Sequence, residues 1–177
     1  MSELRTAHTA DLDHATLTAV RALLDDVFAG DMTDHDWEHA LGGVHALVFE
    51  GAELVGHASV VQRRLMHGDR ALRAGYIEGV GVRADRRRLG YAADMMEALE
   101  RVVHNAYDVG GLGATGEAAA LYARRGWQQW KGATWALTPS GVQRTEDEDG
   151  CIYVLALETS LDLSGDLTCD WRDGDVW

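Results

Sequence analysis

Hydrophobic and polar residues along the chain follow two spacings, and each spacing predicts a different kind of element. Short stretches rich in Val, Ile, Leu, Tyr and Trp, bounded by glycine or charged turns, predict strands. These stretches cover residues 4–9, 45–50, 54–64, 71–82, 107–114, 127–130, 135–137 and 151–157. The short connections between 45–50, 54–64 and 71–82 predict an antiparallel meander.

Apolar residues spaced three and four apart predict helices between these strands. The first helix can be capped by Asp11 or Asp13 and runs to about Phe28, and a short second helix begins after Thr33 and ends before Gly42. Residues 91–106 and 116–125 predict two more helices. Because a helix separates residues 76–82 from residues 107–114, these two strands are predicted to be parallel.

The centre of the pattern is residues 76–106, which predict a strand, a basic turn and a long helix. A turn of this kind places unpaired backbone N–H groups at the positive end of the helix dipole, an arrangement that suits a phosphate group. An exposed basic helix start is the alternative interpretation. The sequence therefore predicts a candidate anion site at residues 83–90.

The residues of this turn indicate which kind of phosphate-binding loop is predicted. The motifs G-x-x-x-x-G-K-[ST] and G-x-G-x-x-G are absent, whereas RRLGYA fits R-x-x-G-x-A, which resembles the pyrophosphate loop of the GNAT acyltransferase superfamily. The resemblance implies acetyl-CoA as co-substrate. It implies that the residues binding acetyl-CoA are Val80, Gly81, Val82, Arg87, Arg88, Leu89, Gly90, Tyr91 and Ala92.

The resemblance extends to the order of elements, β-α-α-β-β-β-α-β-α-β-β, which is the order of the GNAT fold. It implies an α/β (α+β) architecture with a mixed, mainly antiparallel sheet. In this fold the fourth and fifth strands are a parallel pair splayed around the acyl-CoA site, and helices cover both faces of the sheet.

Length and composition favour a single domain, residues 1–177. The chain has 177 residues, of which 46% are hydrophobic and 25% charged, as is usual for a folded globular protein. The segment 158–177 is acidic but also contains leucines and tryptophans, whereas a disordered acidic tail lacks such groups. We therefore expect this tail to pack against the domain.

The net charge of −13, from 29 acidic and 16 basic residues, bears on the choice of partner. It disfavours nucleic acid and anionic membranes, which require clustered positive charge, and favours a cationic substrate. The N-terminus lacks an apolar signal core and no apolar run reaches membrane-spanning length. Cys151 and Cys169 are expected to be reduced thiols, which predicts a cytoplasmic location.

Glu78 lies inside the strand that would hold acetyl-CoA. A half-buried carboxylate is costly unless it is paired or solvated, and a carboxylate here could accept a proton from an attacking amine. An edge-facing or salt-bridged glutamate is the alternative. We interpret Glu78 as the candidate general base.

Tyr122 lies on the helix predicted at 116–125, in LYARRGW. GNAT enzymes often have a tyrosine at this point, so the resemblance implies that Tyr122 is the acid that protonates the leaving thiolate. With an ordinary pKa of about 10, a tyrosine is a proton donor at neutral pH. Packing in the core is the alternative role.

A different class of protein is suggested by His35, Glu38 and His39. They fit H-x-x-E-H, the inverted zincin pattern, which makes a zinc hydrolase the alternative function. The segment is predicted to be one short helix, and no third ligand is evident downstream. A solvent-exposed helix face therefore accounts for the same three residues. We therefore predict no metal. A non-catalytic acyl-CoA sensor is a further alternative.

Four segments together resemble the mycobacterial aminoglycoside 2'-N-acetyltransferases: AGDMTDHDWEHALGGVHALV, GYIEGVGVRAD, LYARRGW and CDWRDGDVW. The resemblance implies acetylation of the 2'-amine, with Glu78 as base through water, Tyr122 as acid, and antibiotic resistance as the outcome. It also implies a homodimer. The implied aminoglycoside contacts are Asp31, Asp36, Glu78, Gly79, Gly113, Asp147, Glu148, Asp175 and the terminal carboxylate of Trp177. Another physiological amine acceptor, including a peptide or protein amine, is the alternative.

Overall fold

The computed structural model describes residues 1–114, 116–157 and 161–177, and within them the chain forms ten strands and four helices. The strands are β1 (Ser2–His8), β2 (Val44–Glu50), β3 (Glu53–His67), β4 (Arg70–Val82), β5 (Val109–Gly113), β6 (Gln128–Gln129), β7 (Thr134–Thr138), β8 (Gly141–Arg144), β9 (Ile152–Ala156) and β10 (Leu167–Cys169). The helices are α1 (His14–Val27), α2 (Asp34–His39), α3 (Tyr91–Ala106) and α4 (Ala119–Arg124). Within the described ranges, no helix is both long enough and apolar enough to span a membrane.

The chain forms two compact units, and strands β3 and β4 contribute residues to both. The first unit contains Met1–Val61 and Ile77–Val102, and the second contains Gln62–Tyr76 and Val103–Trp177.

In the first unit, three strands form an antiparallel sheet in the order β1, β2, β3. Helix α1 begins where the sequence predicted, because the Asp13 carboxylate accepts a hydrogen bond from the Thr16 N–H at 2.7 Å. The apolar face of α1 buries Val20 and Leu24 together with Leu47 of β2. This contact attaches the helix to the sheet.

Helix α2 begins with a capping box at Thr33. The Asp36 N–H donates to the Thr33 hydroxyl at 3.2 Å, and the Thr33 N–H donates back to the Asp36 carboxylate at 2.8 Å. The predicted cap is thus correct, and the structure adds Asp36 as its second half.

In the second unit, neighbouring strands follow the order β6-β9-β5-β4-β3-β10-β7-β8. The predicted parallel pair is confirmed, since Ala74, Gly75 and Tyr76 of β4 align with Val109, Gly110 and Gly111 of β5. The predicted extent of the pair was wrong: the alignment covers residues 74–76 of β4 rather than residues 76–82. Gly75 and Gly111 are required here, because a Cβ at either would lie 2.7 to 2.8 Å from a tyrosine ring.

The sequence missed strands near the C-terminus. No strand was predicted between residues 137 and 151, but Gln143 and Arg144 belong to β8, which pairs with β7. Strand β10 lies in the acidic tail, antiparallel to β3 and parallel to β7. Within the tail, Leu167, Cys169 and Trp177 are buried. The expectation for residues 158–160 lies outside the described residues.

Candidate active site

The C-terminal half of β4 contacts helix α1 through two glycines. A Cβ at Gly79, which has φ +57°, would lie 3.3 Å from the Leu24 side chain, and a Cβ at Gly81 would lie 3.1 Å from it. The glycines therefore allow β4 to approach the helix closely. Glu78, the residue before this contact, is half-buried, and its main-chain oxygen accepts a hydrogen bond from the Ser59 hydroxyl at 3.4 Å.

The loop between β4 and α3 has two residues in the left-handed region. Arg88 has φ +67° and Gly90 has φ +93°, and helix α3 begins at Tyr91. Left-handed residues in such a turn direct successive backbone N–H groups toward one concave surface that binds anions. The side chains of Arg87 and Arg88 are exposed at this loop. The geometry is therefore suited to a phosphate group.

Arg83 and Arg86, which were predicted as part of the same basic cluster, have a different role. Arg83 forms an ion pair with Asp85 at 2.7 Å, and Arg86 with Glu50 at 2.8 Å. The Tyr91 hydroxyl also donates to Glu50 at 2.6 Å. These contacts attach the loop and the start of α3 to strand β2, so the cluster separates into two structural arginines and two exposed ones.

Tyr122 lies on α4 in the second unit and is buried, with its side chain packed near Trp127 and Tyr153. Burial raises the pKa of Tyr122 to about 12. The phenol therefore remains protonated at neutral pH, as a proton donor must.

Three predicted substrate residues form one carboxylate cluster in the second unit. Asp147 and Glu148 lie on the turn Glu146–Glu148 that precedes β9. Burial, followed by the negative charges of Asp175 and Asp147, raises the pKa of Glu148. A carboxylate held near two others gains most from a cationic ligand, because the ligand relieves the repulsion.

The Trp177 side chain reaches the same turn. Its indole Nε1–H donates to the Thr145 hydroxyl at 2.9 Å, and its backbone N–H donates to the Asp175 carboxylate at 3.0 Å. The main-chain oxygen of Trp177 accepts a hydrogen bond from Arg172 at 2.6 Å. The terminal group predicted to hold a substrate ammonium thus already has a cationic neighbour.

The other predicted substrate residues are divided between the units. Asp31 is exposed after α1, and Asp36 is half-buried and uses its carboxylate in the cap of α2. Gly79 lies in β4, whereas Gly113 ends β5 in the second unit, and a Cβ there would lie 3.7 Å from the Tyr76 hydroxyl. Asp31, Asp36 and Gly79 thus belong to the first unit, and Gly113 belongs to the second.

The alternative metal site lies on α2. His35 and Glu38 approach within 3.8 Å, with both side chains more than half exposed. Within the part of the chain that the structure describes, no group of three or more histidine, cysteine or acidic side chains is placed to hold a metal ion. Among the described residues, the two histidines of the motif, His35 and His39, thus have no third ligand placed beside them.

Sequence reasoning missed Arg63, which holds the C-terminal tail. Arg63 is buried and donates to the Asp170 carboxylate at 2.8 Å, the Asp170 carbonyl at 3.0 Å and the Val176 carbonyl at 2.7 Å. Its guanidinium also lies 4.8 Å from the centre of the Tyr76 ring. The available signal was an arginine at a position of β3 where alternation places an apolar residue.

Comparison with known proteins gives a consistent result. The family model described as an acetyltransferase (GNAT) domain matches residues 8–130. An aminoglycoside 2'-N-acetyltransferase from Mycolicibacterium fortuitum is 47% identical over 98% of this chain and 91% of its own length.

Solved structures show the same fold. A GNAT family acetyltransferase from Brucella melitensis, crystallised with acetyl-CoA, has a TM-score of 0.64 at 13% identity and covers 98% of this chain and 97% of its own. Escherichia coli ElaA has a TM-score of 0.62 at 22% identity, covering 87% and 99%. The GNAT fold expected from the order of elements is confirmed, and the chain belongs to the GNAT acetyltransferase family.

Proposed function

We propose that the protein transfers the acetyl group of acetyl-CoA to the 2'-amine of an aminoglycoside and so confers resistance to it. One observation carries the proposal: the 47% identity to an aminoglycoside 2'-N-acetyltransferase extends over 98% of this chain. The geometry within each unit supports it. The first unit offers a phosphate-type loop and a strand with Glu78, and the second offers a buried tyrosine and a carboxylate cluster.

Acetyl-CoA is assigned to the first unit. The diphosphate would be held by the backbone N–H groups of residues 87–92 and by Arg87 and Arg88, whose positive charge complements it. The backbone of Val80, Gly81 and Val82 would bind the pantetheine amides. This assignment is supported by the left-handed backbone at Arg88 and Gly90 and by the start of α3 at Tyr91.

Glu78 is assigned as the general base. An ammonium group cannot attack a thioester, so the amine must first lose a proton, and a half-buried carboxylate can accept that proton through a water molecule. Tyr122 is assigned as the general acid, which gives its phenolic proton to the sulfur as the thiolate leaves. The phenol of Tyr122 is protonated at neutral pH and therefore has a proton to give when the thiolate forms.

The aminoglycoside is assigned to Asp147, Glu148 and Asp175, with Trp177, Asp31, Asp36, Gly79 and Gly113 as further contacts. Aminoglycosides have several ammonium groups, and each charge-assisted hydrogen bond to a carboxylate contributes about 1.5–3 kcal/mol. The raised pKa of Glu148 supports the assignment, since a nearby cation would favour its charged form. The net charge of −13 would also speed the approach of a polycation.

Three further assignments accompany this function. We propose that residues 1–177 act as a single N-acetyltransferase domain, that two copies form a homodimer, and that the enzyme works in the cytoplasm. The two cysteines of the chain, Cys151 and Cys169, are free thiols, as a reducing compartment would keep them.

A thiol-release assay tests the proposed function. Purified protein is mixed with acetyl-CoA and one amine at a time: tobramycin or gentamicin, which have a 2'-amine; amikacin or kanamycin A, which have a 2'-hydroxyl; and a lysine peptide. We expect thiol release with the first pair and little with the others. Thiol release with the peptide and with no aminoglycoside would replace the proposed acceptor. Absence of thiol release with every amine tested would contradict the function.

A further inference from the structure

A chain of hydrogen bonds connects Thr9, which directly follows strand β1, to Gly79 of strand β4. The Thr9 hydroxyl lies 2.7 Å from His45 Nε2, His45 Nδ1 lies 2.9 Å from His57 Nε2, and His57 Nδ1 lies 2.8 Å from the Gly79 carbonyl oxygen. Both imidazoles have 0% exposed surface. Four groups on four segments are therefore connected through the interior of the first unit.

The donor and the acceptor of every hydrogen bond in this series follow from its last acceptor, the Gly79 carbonyl. The Gly79 carbonyl can only accept, so His57 must have its proton on Nδ1, and its Nε2 is then an acceptor. His45 must therefore donate from Nδ1 and accept at Nε2. The Thr9 hydroxyl then gives its one proton to His45 Nε2 at 2.7 Å rather than to the Gly43 carbonyl at 3.3 Å, and it accepts from the Gly42 N–H at 2.8 Å. The geometry thus fixes both histidines as the Nδ1–H tautomer.

Both histidines are neutral at physiological pH. Burial lowers the pKa of His45 to about 4, with a smaller contribution from the neighbouring His8. Burial lowers the pKa of His57 to about 3, with the Gly79 carbonyl opposing and His45 adding to the shift. The arrangement is therefore a fixed support at neutral pH, not a titrating group.

Gly79, the last acceptor in this series of hydrogen bonds, has an unusual backbone conformation. Gly79 has φ +57° within a strand, and a Cβ there would lie 3.3 Å from His57 Cε1 and Nδ1. The Gly79 carbonyl and the Val80 N–H belong to one planar peptide and point in opposite directions. Fixing the carbonyl against His57 therefore fixes the direction of the Val80 N–H and of the chain that follows Glu78.

We propose that Thr9, His45 and His57 form a positioning relay that fixes the Gly79–Val80 peptide, so that Glu78 and the Val80 N–H keep their catalytic orientation. The catalytic part rests on the proposed function. In acyl transfer, a backbone N–H held in place can stabilise the developing charge on the acyl oxygen, and an error of about 1 Å in such a group costs on the order of 100-fold in rate. None of the three relay residues touches the reacting atoms.

A spectroscopic experiment tests the relay without any substrate. In protein labelled with ¹⁵N-histidine, His45 and His57 should each show a protonated Nδ1, an unprotonated Nε2 and a slowly exchanging Nδ1–H, unchanged between pH 5 and 8. A protonated Nε2 on either ring, or titration of either ring in this range, would overturn the relay.

Two substitutions of His57 separate positioning from packing. His57→Asn puts an amide N–H near the position of Nδ1 and so keeps the bond to Gly79, whereas His57→Gln places its amide near Nε2 and loses it. We expect kcat of His57→Gln to fall roughly 10- to 100-fold, with little change in the KM for acetyl-CoA, and kcat of His57→Asn to be closer to wild type. A role in packing alone predicts the reverse order, because glutamine is nearer to histidine in volume.

His67 supplies the matched control. Its Nδ1 also contacts a backbone carbonyl, that of Asp166, at 2.9 Å, but His67 belongs to the second unit and is not one of the residues assigned to catalysis or binding. His67→Asn and His67→Gln should both leave kcat unchanged. A kcat for His57→Gln equal to or above that for His57→Asn would overturn the proposal.

Thr9→Val tests the distant end, because it keeps the shape of the side chain and removes the hydroxyl, which also accepts from the Gly42 N–H at 2.8 Å. Removing the hydroxyl should accelerate exchange of the His57 Nδ1–H and lower kcat, although Thr9 touches neither His57 nor β4 in the relay. An unchanged His57 signal with only a lower Tm would mean that the relay transmits nothing. If the wild type acetylates no aminoglycoside, the proposed function fails, and the spectra still decide whether the relay exists.

Discussion

Arg63→Met is expected to detach the C-terminal tail from the second unit. Arg63 is 4% exposed and makes its three hydrogen bonds to Asp170 and Val176, one on each side of the turn that leads to Trp177. Methionine keeps the apolar stem and removes all three donors. The change therefore tests how far one buried cation determines the position of Asp175 and Trp177.

The structure allows the cost to be worked out. Removing one partner of a buried ion pair costs about 3–5 kcal/mol. The lower end applies here, because the Asp170 side chain is 37% exposed and still accepts from the Arg64 N–H at 3.0 Å. For a chain of this size, about 3 kcal/mol corresponds to a fall in Tm of about 6–12 °C.

Arg73→Met is the matched control in the same unit. Arg73 pairs with Asp108 at 3.0 Å, but their side chains are 48% and 33% exposed. An exposed pair contributes about 0–1 kcal/mol, which corresponds to less than about 4 °C in Tm. Thermal unfolding followed by circular dichroism should therefore separate the two variants.

Kinetics of the same two proteins complete the test. Arg63→Met should raise the KM for the aminoglycoside, because Asp175 and Trp177 lose their support, and should leave the KM for acetyl-CoA unchanged. Equal losses of Tm in both variants, or equal changes in both KM values for Arg63→Met, would refute the reasoning.

Three further predictions concern single groups. Glu78→Gln should lower kcat/KM by about 10²–10⁴-fold at neutral pH and by less at high pH, where more amine arrives deprotonated; wild-type kcat/KM at neutral pH would remove Glu78 as the base. Tyr122→Phe should lower kcat more than it changes either KM, and a change confined to KM would make Tyr122 a lining residue only. Because the folded-state pKa values of His45 and His57 lie below the unfolded value, the unfolded chain binds more protons between pH 6.5 and 4, so stability should fall as the pH falls. The slope is about 1.4 kcal/mol per pH unit for each histidine, and Tm against pH should be flatter for His57→Gln; parallel curves would contradict this.

Local patterns in the sequence predicted those parts of the fold that local chemistry determines. Asp13 and Thr33 predicted the two helix starts, because a short polar side chain can bond the free N–H groups of the next turn. The turn at Gly90 was predicted from a motif, and the left-handed backbone there explains why the motif contains glycine. Each of these features involves residues only a few positions apart.

The parts that were missed depend on distant partners. Strand β8 is mostly exposed, so it lacks the alternation that marks a strand, and β10 is three residues long and pairs with strands far away in the sequence. His45 and His57 are 12 positions apart, and nothing in either strand alone indicates that they meet. Arg63 and Asp170 are 107 positions apart, so their contact required the structure.

The position of the acetyl group on the product tests the central claim most directly. Tobramycin is incubated with acetyl-CoA and the enzyme, and the product is examined by mass spectrometry for the number of acetyl groups and by NMR for their location. The proposed function predicts one acetyl group on the 2'-nitrogen. An acetyl group on any other amine, or recovery of unmodified tobramycin under conditions where the protein is folded, would contradict it.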